Sequence, residues 1–458
     1  MKKFTLTLFT TLLLINFLHA QSCLESGITL YDQASIDNFP VNYPDCIEIL
    51  GDLTIGLGYD NDITNLSGLS NIQVIGGFLY FNENPNLQSM SGLDNLESVG
   101  GYLEIYGNES LNSLSGLGSL ESIGGDMIFY ENHDLEDFSG LDALTSVGGA
   151  LEIGYHEALL GFNGLESLTS IGGMDLAYVS NMTDFTGLNG LTTITGDVWM
   201  TSCDAIESMN GFNALTEVDG SFYINGLVGL TSLSGFENLT TLTGELSIVA
   251  NQLANLAPLN NLTSVGGGFE LKATHNMQNL NGLENLTSVG GELIIGSNQA
   301  LTSLSGIDNI EYQSITNLKI TYNPMLSECE VISVCDYLSS PGGTIWLFDN
   351  ASGCDSQEEV EEACQAIGME KYDVLKDLLV YPNPFKGNAT FSFYLEKPQW
   401  IKLEIFDPMG RKVYSLEKFL DAGDQQILWE AGNFPAGIYS YLIQTSSQVL
   451  SGKMALQK

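Results

Sequence analysis

Apolar residues recur along this chain with a period of 23 or 24 residues, between residues 49 and 322. In each copy they lie two residues before a marker glycine and one, four and seven residues after it. A Gly-Gly pair follows in most copies, and then comes a short alternating stretch such as Leu103-Glu104-Ile105. The pattern occurs about eleven times, on the marker residues Gly68, Gly92, Gly116, Gly140, Gly164, Gly187, Gly211, Gly235, Pro258, Gly282 and Gly306.

This repeat predicts a β-rich solenoid in which each copy of about 24 residues forms one coil. The alternating stretch predicts a short strand after each Gly-Gly turn, so that about six side chains per coil point inward. A single coil cannot offset the conformational entropy of its own ordering, and stacking on neighbouring coils must stabilise it. An elongated surface of this kind favours binding as the function.

A polar position follows the predicted strand at the same place in many copies. Amides that stack in such a slot can satisfy backbone groups that face the interior. Cys203 and His156 lie in the same slot, which predicts that both are buried and unreactive. The amides are Asn84, Asn108, Asn132, Asn251, Asn298 and Asn323.

The first 20 residues have the pattern of a secretory signal peptide, with Lys2 and Lys3 before an apolar run. No later apolar stretch approaches 18 residues, so we expect no transmembrane segment. Residues 21–370 contain 47 acidic residues and only two basic ones, Lys272 and Lys319, whereas residues 371–458 are nearly neutral. Such an acidic surface excludes nucleic acid as a partner and leaves two readings: solvation in salty water, or attraction of cations and basic partners.

Seven cysteines in an exported chain predict a disulfide framework with one thiol left over. Cys23 and Cys46 flank the start of the repeats and are predicted to pair. Four more cysteines follow the repeats and are predicted to form two bridges, for which three connectivities are open. These four are Cys329, Cys335, Cys354 and Cys364.

The repeat LTSLSGIDNI, followed in its relatives by I/V-G-G-x-L-x-I-x-x-N, resembles the receptor L-domain repeat, a relative of leucine-rich repeats. The resemblance covers roughly residues 46–328. It implies a right-handed solenoid with parallel sheets and one thin strand per coil. Members of that family bind unrelated ligands, so the resemblance does not name one.

The last 80 or so residues have a different composition, with strand patterns at residues 390–395 and 401–405 and turn signals between them. They predict a small all-β, immunoglobulin-like sandwich. Four blocks resemble the type IX secretion sorting domain of Bacteroidota, which implies export across the outer membrane by that machinery, followed by release or attachment at the cell surface. The blocks contain Pro382, Asn383, Pro384, Gly410, Gly437 and Lys453.

These boundaries give a domain plan for the whole chain. We expect a signal peptide, an N-terminal cap with the start of the first coil, the solenoid, a cysteine-rich cap, a linker and the sorting domain. The corresponding ranges are 1–20, 21–50, 51–328, 329–366, 367–377 and 378–458.

Outward positions of the predicted strands carry aromatic residues between acidic ones such as Glu104 and Glu152. Such a face can stack on sugar rings or hold an extended peptide, so the sequence predicts binding of an extracellular glycan or protein. The alternative is that aromatic residues simply favour strand faces, since the stripe fades after Tyr223. The candidate residues are Tyr80, Tyr102, Tyr106, Tyr130, Trp199 and Tyr223.

Catalysis is not expected, because the repeats lack arginine, carry two lysines in different coils and contain no nucleophile or metal-protease motif. We expect no cofactor, with calcium at Asp60 and Asp62 as the one weak candidate, in a loop without EF-hand spacing. The predicted function is therefore an exported, non-enzymatic binding solenoid at the cell surface or in the medium. A structural matrix component and a polysaccharide-degrading enzyme are the alternatives.

Overall fold

The computed structural model of the protein describes residues 22–58, 60–366, 375–395, 398–432, 434–445 and 449–458. The predicted signal peptide and residues 367–374 of the predicted linker lie outside the described residues. The chain divides into two compact units, with the boundary between Cys364 and Gln365. Each unit is described by itself below.

Two parallel sheets form the first unit, and most coils contribute one strand to each. In the described residues, the short-strand sheet contains Ser22–Cys23, Glu48–Ile49, Val74–Ile75, Ser98–Val99, Ser122–Ile123, Ser146–Val147, Ser170–Ile171, Thr193–Ile194, Glu217–Val218, Thr241–Leu242, Ser264–Val265 and Ser288–Val289. The long-strand sheet contains Ile28–Leu30, Leu53–Ile55, Leu79–Asn82, Leu103–Tyr106, Met127–Tyr130, Ala150–His156, Gly173–Val179, Val198–Thr201, Phe222–Asn225, Leu246–Asn251, Phe269–Thr274, Glu292–Gly296, Asn317–Thr321 and Ile345–Phe348.

Strands of successive coils pair in register, so that Leu103 lies beside Met127 and Ile105 beside Phe129. The predicted solenoid with parallel sheets is thereby confirmed. The expectation of one strand per coil is wrong, because the two residues before each Gly-Gly turn form a second ladder. The fourteen described long strands exceed the eleven predicted copies by three, since the first two coils and the last one have no marker residue.

The interior is formed by columns of stacked apolar side chains. The six predicted inward positions are buried, as at Leu93, Leu96, Val99, Leu103 and Ile105. A seventh apolar column was not predicted; its members lie three residues after the polar slot, except Leu253, which lies two residues after Asn251. Every member has no solvent exposure: Leu87, Leu111, Leu135, Leu159, Met182, Ile206, Leu230, Leu253, Met277, Leu301 and Leu326.

The marker glycines are required by the close approach of one coil to the next. Gly92 has a φ of 114°, and a Cβ atom there would collide with the backbone of Leu66. At Pro258 the chain instead forms the 3-10 turn Ala257–Leu259, whose φ suits proline. Gly68 lies in a similar turn, Ser67–Leu69, and a third such turn is Tyr312–Ser314.

The polar slot forms a buried ladder of side chains. The backbone N–H of Asn84 donates to Asn108 Oδ1 over 3.0 Å, and that of Asn108 donates to Asn132 Oδ1 over 3.1 Å. The His156 ring nitrogens lie 2.9 and 3.1 Å from the carbonyl oxygens of Asn132 and Phe129. Cys203 is fully buried in the slot, and burial raises the pKa of its thiol to about 11. Thr274 and Asn350 also belong to the ladder.

Helices and disulfides occupy both ends of the solenoid. Helices Gln33–Asp37 and Phe39–Asn42 lie within the first coil, where Ile36 and Phe39 are buried. Helices Ile332–Ser339 and Gln357–Ala366 belong to the other end. The predicted Cys23–Cys46 bridge is present, and the four later cysteines pair as Cys329–Cys354 and Cys335–Cys364. Cys329 continues the inward column of Leu280 and Leu304, and its bridge to Cys354 joins it to the chain that follows the last long strand.

The second unit consists of antiparallel strands only, in the part that the structure describes. A three-stranded sheet has the order Leu375–Tyr381, Asn388–Leu395, Gly423–Glu430. A four-stranded sheet has the order Lys412–Leu420, Gln399–Phe406, Gly437–Gln444, Val449–Leu456. A shared core that includes Phe391, Trp429 and Tyr439 packs between them. The predicted all-β character is confirmed, and the first strand begins at Leu375, inside the predicted linker.

Candidate ligand-binding face

The outer surface of the long-strand sheet carries side chains in straight columns, because the strands pair in register. The middle column is the residue between the two inward residues of each strand. Along successive coils it contains Tyr80, Glu104, Ile128, Glu152, Asp175, Trp199 and Tyr223. All six predicted ligand-binding residues lie on this face, in three groups along the solenoid. The groups are Tyr80, Tyr102 and Tyr106, then Tyr130, and then Trp199 and Tyr223.

In most coils, a residue at the end of the long strand or just beyond it is in the left-handed region. In ten coils it is not glycine, with φ between 52° and 60°. This conformation turns the chain at the corner and directs a side chain outward where simple alternation would direct it inward. Tyr155 and Tyr178 occupy this corner position, and about half of each side chain is exposed. The sequence interpretation missed both because strand periodicity does not extend to a corner residue.

Tyr130, Tyr155 and Tyr178 form a tyrosine row along the solenoid. The ring centroids of Tyr130 and Tyr155 are 6.3 Å apart, and those of Tyr155 and Tyr178 are 4.9 Å apart in a stacked arrangement. Gly154 makes room for the first ring, since a Cβ atom there would lie 2.5 Å from Tyr130 Cε1. Ring surface in this row is therefore exposed to solvent, and no other apolar side chain among the described residues covers it.

Glu104, Glu152 and Asp175 form a carboxylate row beside the tyrosine row. Glu152 and Asp175 are direct neighbours on adjacent strands. Burial raises the pKa of all three carboxyl groups, and the charges of Asp126, Asp175 and Glu104 raise that of Glu152 further. Burial and the charges of Glu152 and Asp175 raise the pKa of Tyr130 to about 12. The face thus combines partly desolvated carboxylates with exposed rings.

The remaining predicted aromatic residues lie on either side of these rows. Tyr102 stacks on Phe78 with ring centroids 4.7 Å apart. Trp199 stacks on Tyr223 at 3.9 Å, and Trp199 remains 47% exposed. Burial, followed by the charge of Glu104, raises the pKa of Tyr80 to about 12. The aromatic residues from Phe78 to Tyr223 extend over seven consecutive strands of one sheet.

Beyond Tyr223 the same face contains the two lysines of the solenoid. Lys272 forms an ion pair with Glu270, and Lys319 Nζ lies 5.9 Å from the centre of the Trp346 ring. Burial of Glu270 opposes ionisation, but hydrogen bonds from Lys272 and Ser247 outweigh it and lower the pKa of this carboxyl. The strands that precede Tyr223 carry carboxylates and no lysine.

The calcium candidate residues Asp60 and Asp62 lie in a surface loop near Asp32. Asp62 Oδ1 accepts a hydrogen bond from the backbone N–H of Gln33 at 2.9 Å. One of its two carboxylate oxygens is therefore already engaged in a structural hydrogen bond. The described residues contain no group of three or more His, Cys, Asp or Glu side chains arranged to hold a metal ion.

In the second unit, the motif blocks come together in two pairs. Asn383 Oδ1 accepts from the N–H of Ala455, and its amide donates to the Lys453 carbonyl oxygen, so the Pro382-Asn383-Pro384 block is fixed to the last strand. Asp407 accepts hydrogen bonds from the backbone N–H groups of Met409 and Arg411 around Gly410. Gly437 lies against this turn, where a Cβ atom would be 2.8 Å from Pro408.

These features define the class of the protein: a disulfide-bonded β-solenoid with an antiparallel C-terminal unit. Residues 379–457 match the family described as the secretion system C-terminal sorting domain. The sorting domain implies delivery by the type IX secretion system to the cell surface or the medium. No curated protein is significantly similar to the chain. Among the described residues, no helix is long and apolar enough to cross a membrane.

Proposed function

We propose that the exported solenoid is a non-enzymatic binding module that holds an extracellular glycan or protein on the outer face of its long-strand sheet. The observation that carries the proposal is the series of aromatic side chains from Phe78 to Tyr223, with at least one at each strand, of which Tyr155, Tyr178 and Trp199 are exposed and the others half-buried. Exposed apolar surface on a rigid sheet is a common basis of recognition. The resemblance of the coils to receptor L-domain repeats, with the right-handed solenoid it implies, supports the same function.

The test uses tryptophan emission of the exported chain, residues 21–458, titrated with neutral and acidic polysaccharides and with extracellular proteins. Trp199→Phe reports whether the signal comes from the proposed face. Trp346→Phe is the matched control, because Trp346 lies in the same middle column six strands farther on and is also partly exposed. We expect a saturable change that Trp199→Phe removes and Trp346→Phe retains.

Three other outcomes would contradict the proposal. A response that both variants retain would place the ligand elsewhere on the molecule. Concentration-dependent self-assembly without any ligand would favour a structural matrix component. Release of reducing ends from a polysaccharide would indicate an enzyme.

A further inference from the structure

The tyrosine row and the carboxylate row together have the chemistry of a receptor for cations. Ring faces attract ammonium and guanidinium groups, and carboxylates form charge-assisted hydrogen bonds with them. Tyr155 and Tyr178 keep about half of their surface exposed, and Glu152 and Asp175 lie on the same two strands. A ligand cation could therefore contact a ring and a carboxylate at once.

The solenoid supplies no cation of its own to this region. Its sequence contains no arginine, and its only lysines are Lys272 and Lys319. Lys272 lies four strands beyond Asp175 in the sheet, which corresponds to about 19 Å. Glu152 and Asp175 consequently lie side by side, and Glu104 lies two strands before Glu152, with no lysine on any of these strands.

The two lysines farther along the same sheet show how an ammonium group interacts with this face. Lys272 pairs with the middle-column carboxylate Glu270, and Lys319 lies near the ring of the middle-column Trp346. The first is a contact between an ammonium group and a carboxylate, and the second is a contact between an ammonium group and an aromatic ring. The carboxylate and tyrosine rows offer a ligand these same two kinds of contact. The earlier coils have the rings and the carboxylates but lack the lysines.

We propose that the tyrosine and carboxylate rows bind a lysine- or arginine-rich extended segment of an extracellular protein. This inference rests on the proposed function of the face and specifies its ligand. A surface that is strongly acidic along its length repels anionic polysaccharides, and a neutral glycan would leave the clustered charges uncompensated. The aromatic series spans six strand spacings, about 29 Å, which suits an extended chain better than a single small cation.

The experiment measures binding of three probes to the exported chain by calorimetry: an alternating Lys-Gly decapeptide, a Glu-Gly decapeptide and a neutral glucose hexasaccharide. We expect saturable binding of the basic peptide alone, weakened at 500 mM compared with 50 mM NaCl by screening. The double variant Glu152→Gln/Asp175→Asn and the double variant Tyr155→Ala/Tyr178→Ala should each weaken it at least about tenfold.

Matched controls separate the site from the general negative charge. Glu121→Gln/Glu217→Gln removes two exposed charges away from the long-strand sheet, and Tyr322→Ala removes an exposed corner tyrosine of the same φ. Both should change the affinity less than about twofold, and circular dichroism establishes that every variant is folded. Equal losses in the site and control carboxylate variants would reduce the binding to long-range charge and overturn the inference.

The remaining outcomes distinguish this inference from the proposed function. Binding of the hexasaccharide that depends on Tyr155 and Tyr178, without binding of the basic peptide, would overturn the inference and leave the proposed function intact. Absence of binding for all three probes, together with a flat tryptophan response to polysaccharides and proteins, would overturn both.

Discussion

Single residues on the outer face are placed in positions that cost stability. Glu152 and Asp175 are like charges on adjacent strands, and both have a raised carboxyl pKa. The left-handed φ of Tyr155 and Tyr178, by contrast, is shared by the corner residues of eight other coils and belongs to the fold as a whole. Residues that destabilise the free fold are often found where a protein binds something, since selection for function tolerates the loss. The arrangement agrees with a face built for a ligand.

The carboxylate row gives a prediction about pH. A carboxyl group whose pKa rises on folding destabilises the folded state when ionised, and this penalty disappears as the pH falls through the raised pKa. We therefore expect Glu152→Gln/Asp175→Asn to raise the thermal midpoint at pH 7, since like charges on adjacent strands destabilise by about 0.2–1 kcal/mol. The gain should vanish at about pH 3, where Glu152, Asp175 and the facing Glu104, whose pKa values are all raised, are protonated.

Differential scanning calorimetry at both pH values measures the effect, with Glu121→Gln/Glu217→Gln as the reference. A gain at neutral pH that persists in acid would assign the effect to packing instead of charge. The same variant is expected to lose affinity for the basic peptide, so stability and binding should change in opposite directions.

At the scale of the strand and the coil, the sequence predicts the solenoid well because every coil repeats the same inward positions. Six of the seven apolar columns follow from offsets to the marker glycine. The short strands are not predictable, since two residues such as Ser98–Val99 carry no alternation. The corner tyrosines were missed for a related reason: a positive φ at Tyr155 depends on the coil's geometry and leaves no periodic signal. The six predicted aromatic residues lie on the outer face, and the prediction omitted Tyr155 and Tyr178, which lie on the same face.

The asparagine ladder gives a prediction about coil cohesion. Asn108 accepts hydrogen bonds from Asn84 and donates to the carbonyl oxygens of Phe81 and Tyr106, all in the interior. Asn108→Ala leaves these groups unpaired, at about 1–3 kcal/mol for each buried group. Cys203→Ala, in the same slot, should cost about 1 kcal/mol, because sulfur bonds weakly there.

Urea unfolding followed by circular dichroism compares the two variants. Similar losses would show that the ladder contributes packing and no specific hydrogen bonding. A larger loss at Asn108 would show that stacked amides join successive coils.

The molecule as a whole combines a strongly acidic solenoid with a nearly neutral sorting domain. Helices and disulfides complete both ends of the solenoid, where terminal coils have no further neighbour. The sorting domain motifs were recognisable from sequence because short blocks such as Pro382-Asn383-Pro384 form turns whose side chains fix them to distant strands. Ligand identity is not encoded in this way, since it depends on which columns face outward together.

The charge of the solenoid gives a prediction about salt. Self-repulsion among 47 acidic residues destabilises the compact state and is screened as ionic strength rises. We expect the thermal midpoint to rise between 10 and 500 mM NaCl by roughly 2–4 °C for each kcal/mol of repulsion removed. A midpoint that falls with NaCl would contradict this.

Thermal midpoints in calcium and in magnesium at equal ionic strength test the candidate residues Asp60 and Asp62. A thermal midpoint that rises with calcium and not with magnesium would indicate a calcium site.

In-register stacking of coils has a consequence for how such a face can change over generations. A duplication of one coil inserts a copy whose side chains fall into the existing columns, so neighbouring coils need no adjustment. Loss of one coil shortens the columns in the same way. The length of the surface formed by the tyrosine and carboxylate rows therefore follows the number of coils that the gene encodes. A longer ligand can be accommodated by additional coils, without changes to the existing ones.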